Sequence, residues 1–218
     1  CTSLFSDGVP ADLFKYAINA TDFNYVFYET ALTTIPEKLF EKNVKATSFY
    51  NAFAHTGISA IPENLFANCT EVTSFSYTFY YCESLTAIPE KLFAKNVKVT
   101  TFSGAFEYTA ISAIPQKLFA NCPEVTSFYT TFARCQNLTT IPVGLFDYNR
   151  KVNDFGWVFA GENKVTGESP YTVINGKKVH LYERKNYTDE FVTPASFGAA
   201  FIGCDKLTDY ANIPTDWK

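Results

Sequence analysis

Charge is scarce in this sequence. Only 18% of its 218 residues are Asp, Glu, Lys or Arg, and the net charge is −4. A mildly acidic chain with no basic cluster cannot neutralise a run of phosphates, which argues against nucleic-acid binding. Long apolar runs are also missing. None approaches the roughly 20 residues that a helix needs to cross a bilayer, so no membrane span is expected. No charged-then-apolar leader opens the chain, and any signal peptide is expected to lie outside it. There are two histidines, His55 and His180, with no Ser or Cys nucleophile motif beside either; both read as surface residues. Closely spaced zinc ligands are absent, as is a glycine-rich phosphate loop. Acidic residues such as Glu37, Glu63 and Glu90 are scattered at solvent positions, whereas a carboxylate pair for glycoside hydrolysis needs a cleft. These absences point away from an enzyme, a cofactor and a metal.

Aromatic residues fill the space that charge leaves. The chain has 22 Phe and 14 Tyr, no Met, and is 47% apolar. Phe carries large apolar area on few rotamers and suits a core of identical stacked slots. The prolines show the repeat. Pro10, Pro36, Pro62, Pro89, Pro115 and Pro142 are spaced 26, 26, 27, 26 and 27 residues apart. Leu and Phe follow at the third and fourth positions each time, from Leu13 and Phe14 to Leu145 and Phe146. One Phe lies thirteen residues after each proline and another seventeen after, as in Phe49 and Phe53. A second order lies inside the first. Residues 58–84 match 111–137 at 18 of 27 positions, and 32–57 match 85–110 at 17 of 26. Two kinds of turn therefore alternate in a duplicated 53-residue module. Such a copy persists when each unit stacks on the last to bury a shared core.

The expected fold is an α/β repeat solenoid, a leucine-rich-repeat-like stack of 26–27-residue turns. In each turn the Leu-Thr-x-Ile segment suits a short strand, and Pro with its following Glu suits a helix start. Val72, Phe75, Phe79 and Cys82 fall at i, i+3, i+7 and i+10, an apolar stripe of helical period. Thr73 and its equivalents Thr21, Thr47, Thr100 and Thr126 stand where a cap belongs. The alternative puts the strand on the Thr-Ser-Phe segment and leaves the solenoid unchanged. Residues 1–159 form six turns. Residues 160–218 are read as an atypical C-terminal cap continuous with them, because Asn175-Gly176 between two strand-like runs signals a hairpin. A stack needs such a cap to cover its last Phe and strand edge.

Cysteine has two readings. Cys69 and Cys82 occupy one turn, and Cys122 and Cys135 the same places in its sister; in the other turn type both places change together, to Asn43 and Thr56, then Asn96 and Thr109. Joint gain and loss suggests disulfides Cys69–Cys82 and Cys122–Cys135, closing loops worth about 3 kcal/mol each. The alternative is small buried thiols throughout. Cys204 has no partner within its turn. Cys1 reads either as a repeat cysteine of a longer chain or as the lipidated cysteine of a mature lipoprotein.

The string Val-Thr-Ser-Phe-Ser-Tyr-Thr-Phe-Tyr-Tyr-Cys-Glu-Ser-Leu-Thr-Ala-Ile-Pro, residues 72–89, resembles the bacterial surface leucine-rich repeats called BspA-like. The resemblance covers residues 1 to about 160, and 196–214 more weakly. The sequence departs from that pattern in its longer Pro-Glu-Lys-Leu-Phe insert and in the missing cysteine of every other turn. The family implies an extracellular or bacterial cell-surface protein, secreted or anchored, that binds host or microbial partners without catalysis. Positions fourteen, fifteen, eighteen and nineteen after each proline vary between copies and are expected to face solvent. They hold Tyr25, Tyr28, Tyr50, Tyr77, Tyr80, Tyr81, Tyr108, Tyr129 and Trp157. Tyr and Trp are favoured interface anchors. A ring that only shields the neighbouring turn is the plainer reading of each. The expectation is a monomeric, non-catalytic adhesion or protein-binding solenoid, with a glycan-binding surface protein and a structural spacer as the alternatives.

Overall fold

The computed structural model describes Phe5 and residues 8–218. Cys1, with both of its readings, lies outside the described residues. The turns stack in register. Parallel single-residue bridges run Asp22–Ser48–Ser74–Thr101–Ser127–Asp154–Ser196, one residue per turn. The main ladder therefore runs through the Thr-Ser-Phe segment. The Leu-Thr-x-Ile segment carries only a shorter one, with bridges Thr140–Thr166 and Gly167–Leu207.

The helical segments take the form of chained turns. After each proline the backbone closes with i+3 bonds, as in Leu39 N–H to Pro36 C=O (3.2 Å), Glu41 to Lys38 (3.1 Å) and Asn43 to Phe40 (3.1 Å). The Val72–Cys82 stripe is not an α-helix. Every second residue there donates to the following turn: Phe75 N–H to Thr101 C=O (3.2 Å), Tyr77 to Ser103 (2.7 Å), Phe79 to Ala105 (3.0 Å) and Tyr81 to Glu107 (2.9 Å). This fan buries the Phe residues at thirteen and seventeen and the residue at sixteen, such as Ala52 and Thr78, and leaves Tyr25 and Trp157 at position fifteen exposed. Its inward spacing matches helical period over a few residues, which is why periodicity alone could not separate the two.

The core is a set of phenylalanine files. Phe53, Phe79, Phe106, Phe132 and Phe159 stack at 5.5–5.8 Å, with interplanar angles of 3–13°. The Leu-Phe file interdigitates: Phe66 sits 4.7 Å from both Phe49 and Phe75. Full burial of each such ring stabilises by about 1.5–3 kcal/mol.

Polar ladders lock the register, and they explain the two-turn module. Seven residues after the proline, Asn and Cys alternate. Asn96 Nδ2 donates to the carbonyls of Phe66 (3.2 Å) and Cys69 (2.9 Å) in the turn before, and Asn149 does the same to Phe119 (3.1 Å) and Cys122 (2.8 Å). Cys122 Sγ lies 3.6 Å from Asn96 O. On the opposite side Thr and Cys alternate: Cys82 Sγ donates to Phe53 O at 3.1 Å and Cys135 Sγ to Phe106 O at 3.1 Å. The disulfides Cys69–Cys82 and Cys122–Cys135 are therefore corrected. All four cysteines, and Cys204, are buried free thiols. The paired change with Asn43 and Thr56 reflects two alternative donors at each of two ladder positions.

The C-terminal part departs from the regular repeat. Strands β1 (Tyr171–Ile174) and β2 (Lys177–His180) form an antiparallel hairpin. Its turn residues Asn175 and Gly176 have φ of 50° and 78°, the mirror-type turn that an Asn-Gly pair favours. Short 3₁₀ helices follow at Leu181–Asn186, Tyr210–Asn212 and Thr215–Trp217. Between them, residues from Ser196 onward add one more turn, with Phe201 stacked on Phe159 at 5.8 Å. Arg184 takes the place of the ladder asparagine: its guanidinium donates to Asn149 O (3.0 Å) and Phe146 O (2.9 Å).

Candidate interaction surface

The fan has a backbone requirement that selects what stands on it. The residues fifteen and nineteen after each proline have left-handed φ. Among them are Tyr25 (57°), His55 (57°), Tyr77 (56°), Tyr81 (58°), Tyr108 (59°) and Trp157 (58°). Glycine meets this geometry at Gly104, Gly161 and Gly203, whereas other residues there cost about 1–2 kcal/mol each. Large aromatic side chains thus occupy positions where the backbone alone favours glycine.

Seven of the nine expected surface aromatics join into one array. Tyr25 meets Tyr50 edge to face at 5.3 Å, and Tyr50 meets Tyr77 at 5.9 Å. Tyr77 meets Tyr80 at 5.6 Å, and Tyr80 meets Tyr81 at 5.3 Å. Tyr81 packs on Tyr108 at 4.4 Å. Tyr28 also belongs to it, 5.4 Å from Tyr25. Tyr129 and Trp157 lie further along the same edge, 38% and 42% exposed. Small residues receive the rings: a Cβ on Gly104 would lie 2.2 Å from the Tyr77 ring, and one on Gly156 would lie 3.1 Å from Tyr129.

Two members of the surface escaped the sequence reading. His55 stacks on Tyr81 at 4.8 Å and 18°, and Arg134 lies 5.2 Å over the Tyr108 ring. Both occupy position nineteen in register, so the repeat ruler held the signal. In the column His55, Tyr81, Tyr108, Arg134, the last three border an open groove of about 330 Å³, together with Glu83 and Gln136. Ring faces in this column are mutually covered, which leaves edges and hydroxyls for a ligand. Burial and the Glu107 carboxylate hold the phenols of Tyr77 and Tyr80 above the ordinary tyrosine range. Hydrogen bonding to Tyr25, then burial, does the same for Tyr50. Glu107 is itself raised by burial, against the opposing pull of Thr130 and Arg134. The phenols therefore stay neutral and available as donors and acceptors.

The five cysteines among the described residues are buried and contribute no thiol to this surface. Burial pushes the Cys69, Cys82, Cys122 and Cys204 thiols up to about 12. Among the described residues, no group of three or more His, Cys, Asp and Glu could hold a metal ion, and no helix is long and apolar enough to cross a membrane. The structure does gather a Ser, a His and an Asp elsewhere. His180, expected at the surface, is buried in the cap beside Ser169 and Asp209. The serine hydroxyl stands between the other two, 2.6 Å from Asp209 Oδ2 and 2.9 Å from His180 Nδ1. A hydrolytic triad has the imidazole in the middle.

No family model matches the chain, and no curated protein matches it. Solved structures do. Toll in its glycosylated complex with Spatzle, from Drosophila, aligns over 91% of this chain and 24% of its own, with a TM-score of 0.54 and 18% identity. The LRIM1/APL1C complex aligns over 77% of this chain and 30% of that one, with a TM-score of 0.50 and 14% identity. The leucine-rich repeat domain of the type III effector XCV3220 (XopL) aligns over 87% and 65%, at a TM-score of 0.49 and 15% identity. The fold is a leucine-rich repeat solenoid. The chain spans about a quarter to a third of the length of the first two.

Proposed function

We propose that this solenoid is a non-catalytic, BspA-like surface protein that binds a protein partner through the aromatic edge from Tyr25 to Arg134. One observation carries the reading: bulky aromatics form a continuous row in register, and Tyr25, Tyr77, Tyr81 and Tyr108 among them stand at positions where the backbone favours glycine. Interfaces draw on such rings because they offer large rigid area with a polar tip. Two of the similar folds, Toll–Spatzle and LRIM1/APL1C, were solved as protein complexes, which supports a protein partner over a spacer role. The proposed setting is extracellular, on a bacterial surface or secreted, and the proposed state is monomeric. Glycan binding is the second reading. It is favoured at Tyr129 and Trp157, which lie outside the mutually covered column and are 38% and 42% exposed. Capture from mixed matrix proteins, mucins and polysaccharides tests both. Loss of a captured protein on replacing Tyr77, Tyr80 and Tyr81 with Ser is the expected result. Retention by that variant, with loss on Trp157→Ala and glycan as the captured material, would promote the second reading.

A further inference from the structure

The cap contains an enclosed titratable cluster that binding does not use. His180 ends β2, with its ring stacked on Tyr182 at 5.2 Å and set edge-on to Tyr171 at 5.5 Å. Its Nδ1 lies 2.9 Å from Ser169 Oγ, and its Nε2 lies 3.5 Å from Glu168 Oε1. Asp209, in the last turn, takes the Ser169 hydroxyl at 2.6 Å on one carboxylate oxygen and the Ser169 backbone N–H at 2.9 Å on the other. Glu183 accepts the His180 backbone N–H at 2.9 Å. Lys178 holds the second oxygen of Glu168 at 2.5 Å and stands over the Tyr171 ring. Two carboxylates therefore face the imidazole, Glu168 3.5 Å from Nε2 and Asp209 3.5 Å from Nδ1, while Glu183 holds the backbone of the same residue. Burial raises the Tyr182 phenol to about 12, and the charges of Asp209, Glu183 and Glu168 add to that rise.

Donor counting fixes the protons on the ring. A carboxylate only accepts, so the single hydroxyl proton of Ser169 goes to Asp209. Ser169 Oγ must then accept from Nδ1, which carries a proton in either charge state. A neutral ring consequently presents a bare Nε2 lone pair to the Glu168 carboxylate. Only the imidazolium offers a donor on both sides.

We propose that His180 is a proton-operated clasp on the C-terminal cap: as the imidazolium it ties the hairpin and Glu168 to the last turn, and loss of its Nε2 proton loosens the hairpin. Histidine is the side chain whose charge ordinarily changes between about pH 5 and 8. Glu162, the other buried acid of the cap, acts in the same direction and must be separated from it.

The test is backbone hydrogen exchange of the whole chain, read as protection factors at pH 5.5 and 8.0, so that the intrinsic rate change cancels. In the Glu162→Gln background, Val179 and Tyr171 amides are expected to lose roughly tenfold protection at the higher pH. Phe79 and Phe106 amides, deep in the stack, are expected to hold. Both His180→Gln and Glu168→Gln should flatten the hairpin response. An unchanged hairpin in the parent, or an equal loss in His180→Gln, would overturn the clasp. Nitrogen chemical shifts of the His180 ring in the unmutated chain give a readout that needs no variant. A proton on Nε2 with Nδ1 bare at pH 8 is incompatible with the proposal.

Discussion

At the scale of single residues, the ladder positions carry more information than the core. Glu162 stands in the column otherwise filled by Thr and Cys. It accepts the Cys135 backbone N–H at 2.6 Å on Oε1, while Oε2 has no partner among the described residues. Burial pushes its carboxyl from the ordinary 4.5 up to about 8. Between those values the folded chain keeps a proton that the unfolded chain has released. Stability is therefore fully present below the lower value and is lost as pH rises through the higher one. Glu162→Gln keeps the shape and the accepting oxygen and removes the titration. The melting temperature of the variant is expected to exceed that of the parent at pH 8.5, and the gap to close at pH 5. A parallel pair of pH profiles would show that the carboxyl is not held neutral.

At the scale of one turn, the fan sets a balance between backbone and side chain that two substitutions separate. Tyr25 is 51% exposed and, among the described rings, meets Tyr28 and Tyr50, so Tyr25→Gly relieves a left-handed backbone at the loss of two edge contacts. Each contact is worth about 0.5–1.5 kcal/mol against about 1–2 kcal/mol of relief. Chemical denaturation is expected to show a change within about 1 kcal/mol. Tyr77→Gly differs, because that ring covers the backbone at Gly104 and touches two further tyrosines. It is expected to destabilise clearly, by about 2 kcal/mol or more. Equal effects at both sites would mean that packing and backbone do not compete as described. These positions also mark how much of the molecule was legible. The proline ruler exposed the repeat, the Leu-Phe and paired Phe core, and the outward row from Tyr25 to Trp157. It could not show that Val72, Phe75 and Phe79 lie on a fan and not a helix, because the inward spacing is shared and the bonds run to residues about 26 positions away. Nor could it show that Thr56 and Cys82, from neighbouring turns, both donate to the Phe53 carbonyl, because pattern reveals co-variation and not the third group that two residues serve. The cap cluster was hidden for a different reason. Ser169, His180 and Asp209 occur once each outside the repeat, and only the folded chain brings them together.

At the scale of the molecule, a stack held by neighbour-to-neighbour contacts is as secure as its ends. The C-terminal end is closed by two devices that continue the internal ladders. Arg184 supplies the two carbonyl bonds that an asparagine supplies in earlier turns, and its buried cation is held over the rings of Phe191 at 4.2 Å and Phe155 at 5.4 Å. Trp217 lies flat on Phe197 at 4.8 Å and 6°, and its carbonyl accepts the Phe201 N–H at 2.9 Å. That carbonyl closes one of the donors that the last fan would otherwise leave open. In a nearest-neighbour solenoid, each turn is stabilised chiefly by the interface with the next. Removing the terminal cover should therefore act locally first. Trp217→Ala forfeits a buried indole, a loss of about 3–5 kcal/mol at that interface. The expected outcome is graded: hydrogen-exchange protection collapses at Phe201, falls at Phe159, and persists at Phe53 and Phe79. The unfolding transition broadens and does not merely shift. A uniform fall in protection with a sharp transition would mean instead that all the turns unfold as one unit, and that Trp217 closes the whole stack at once.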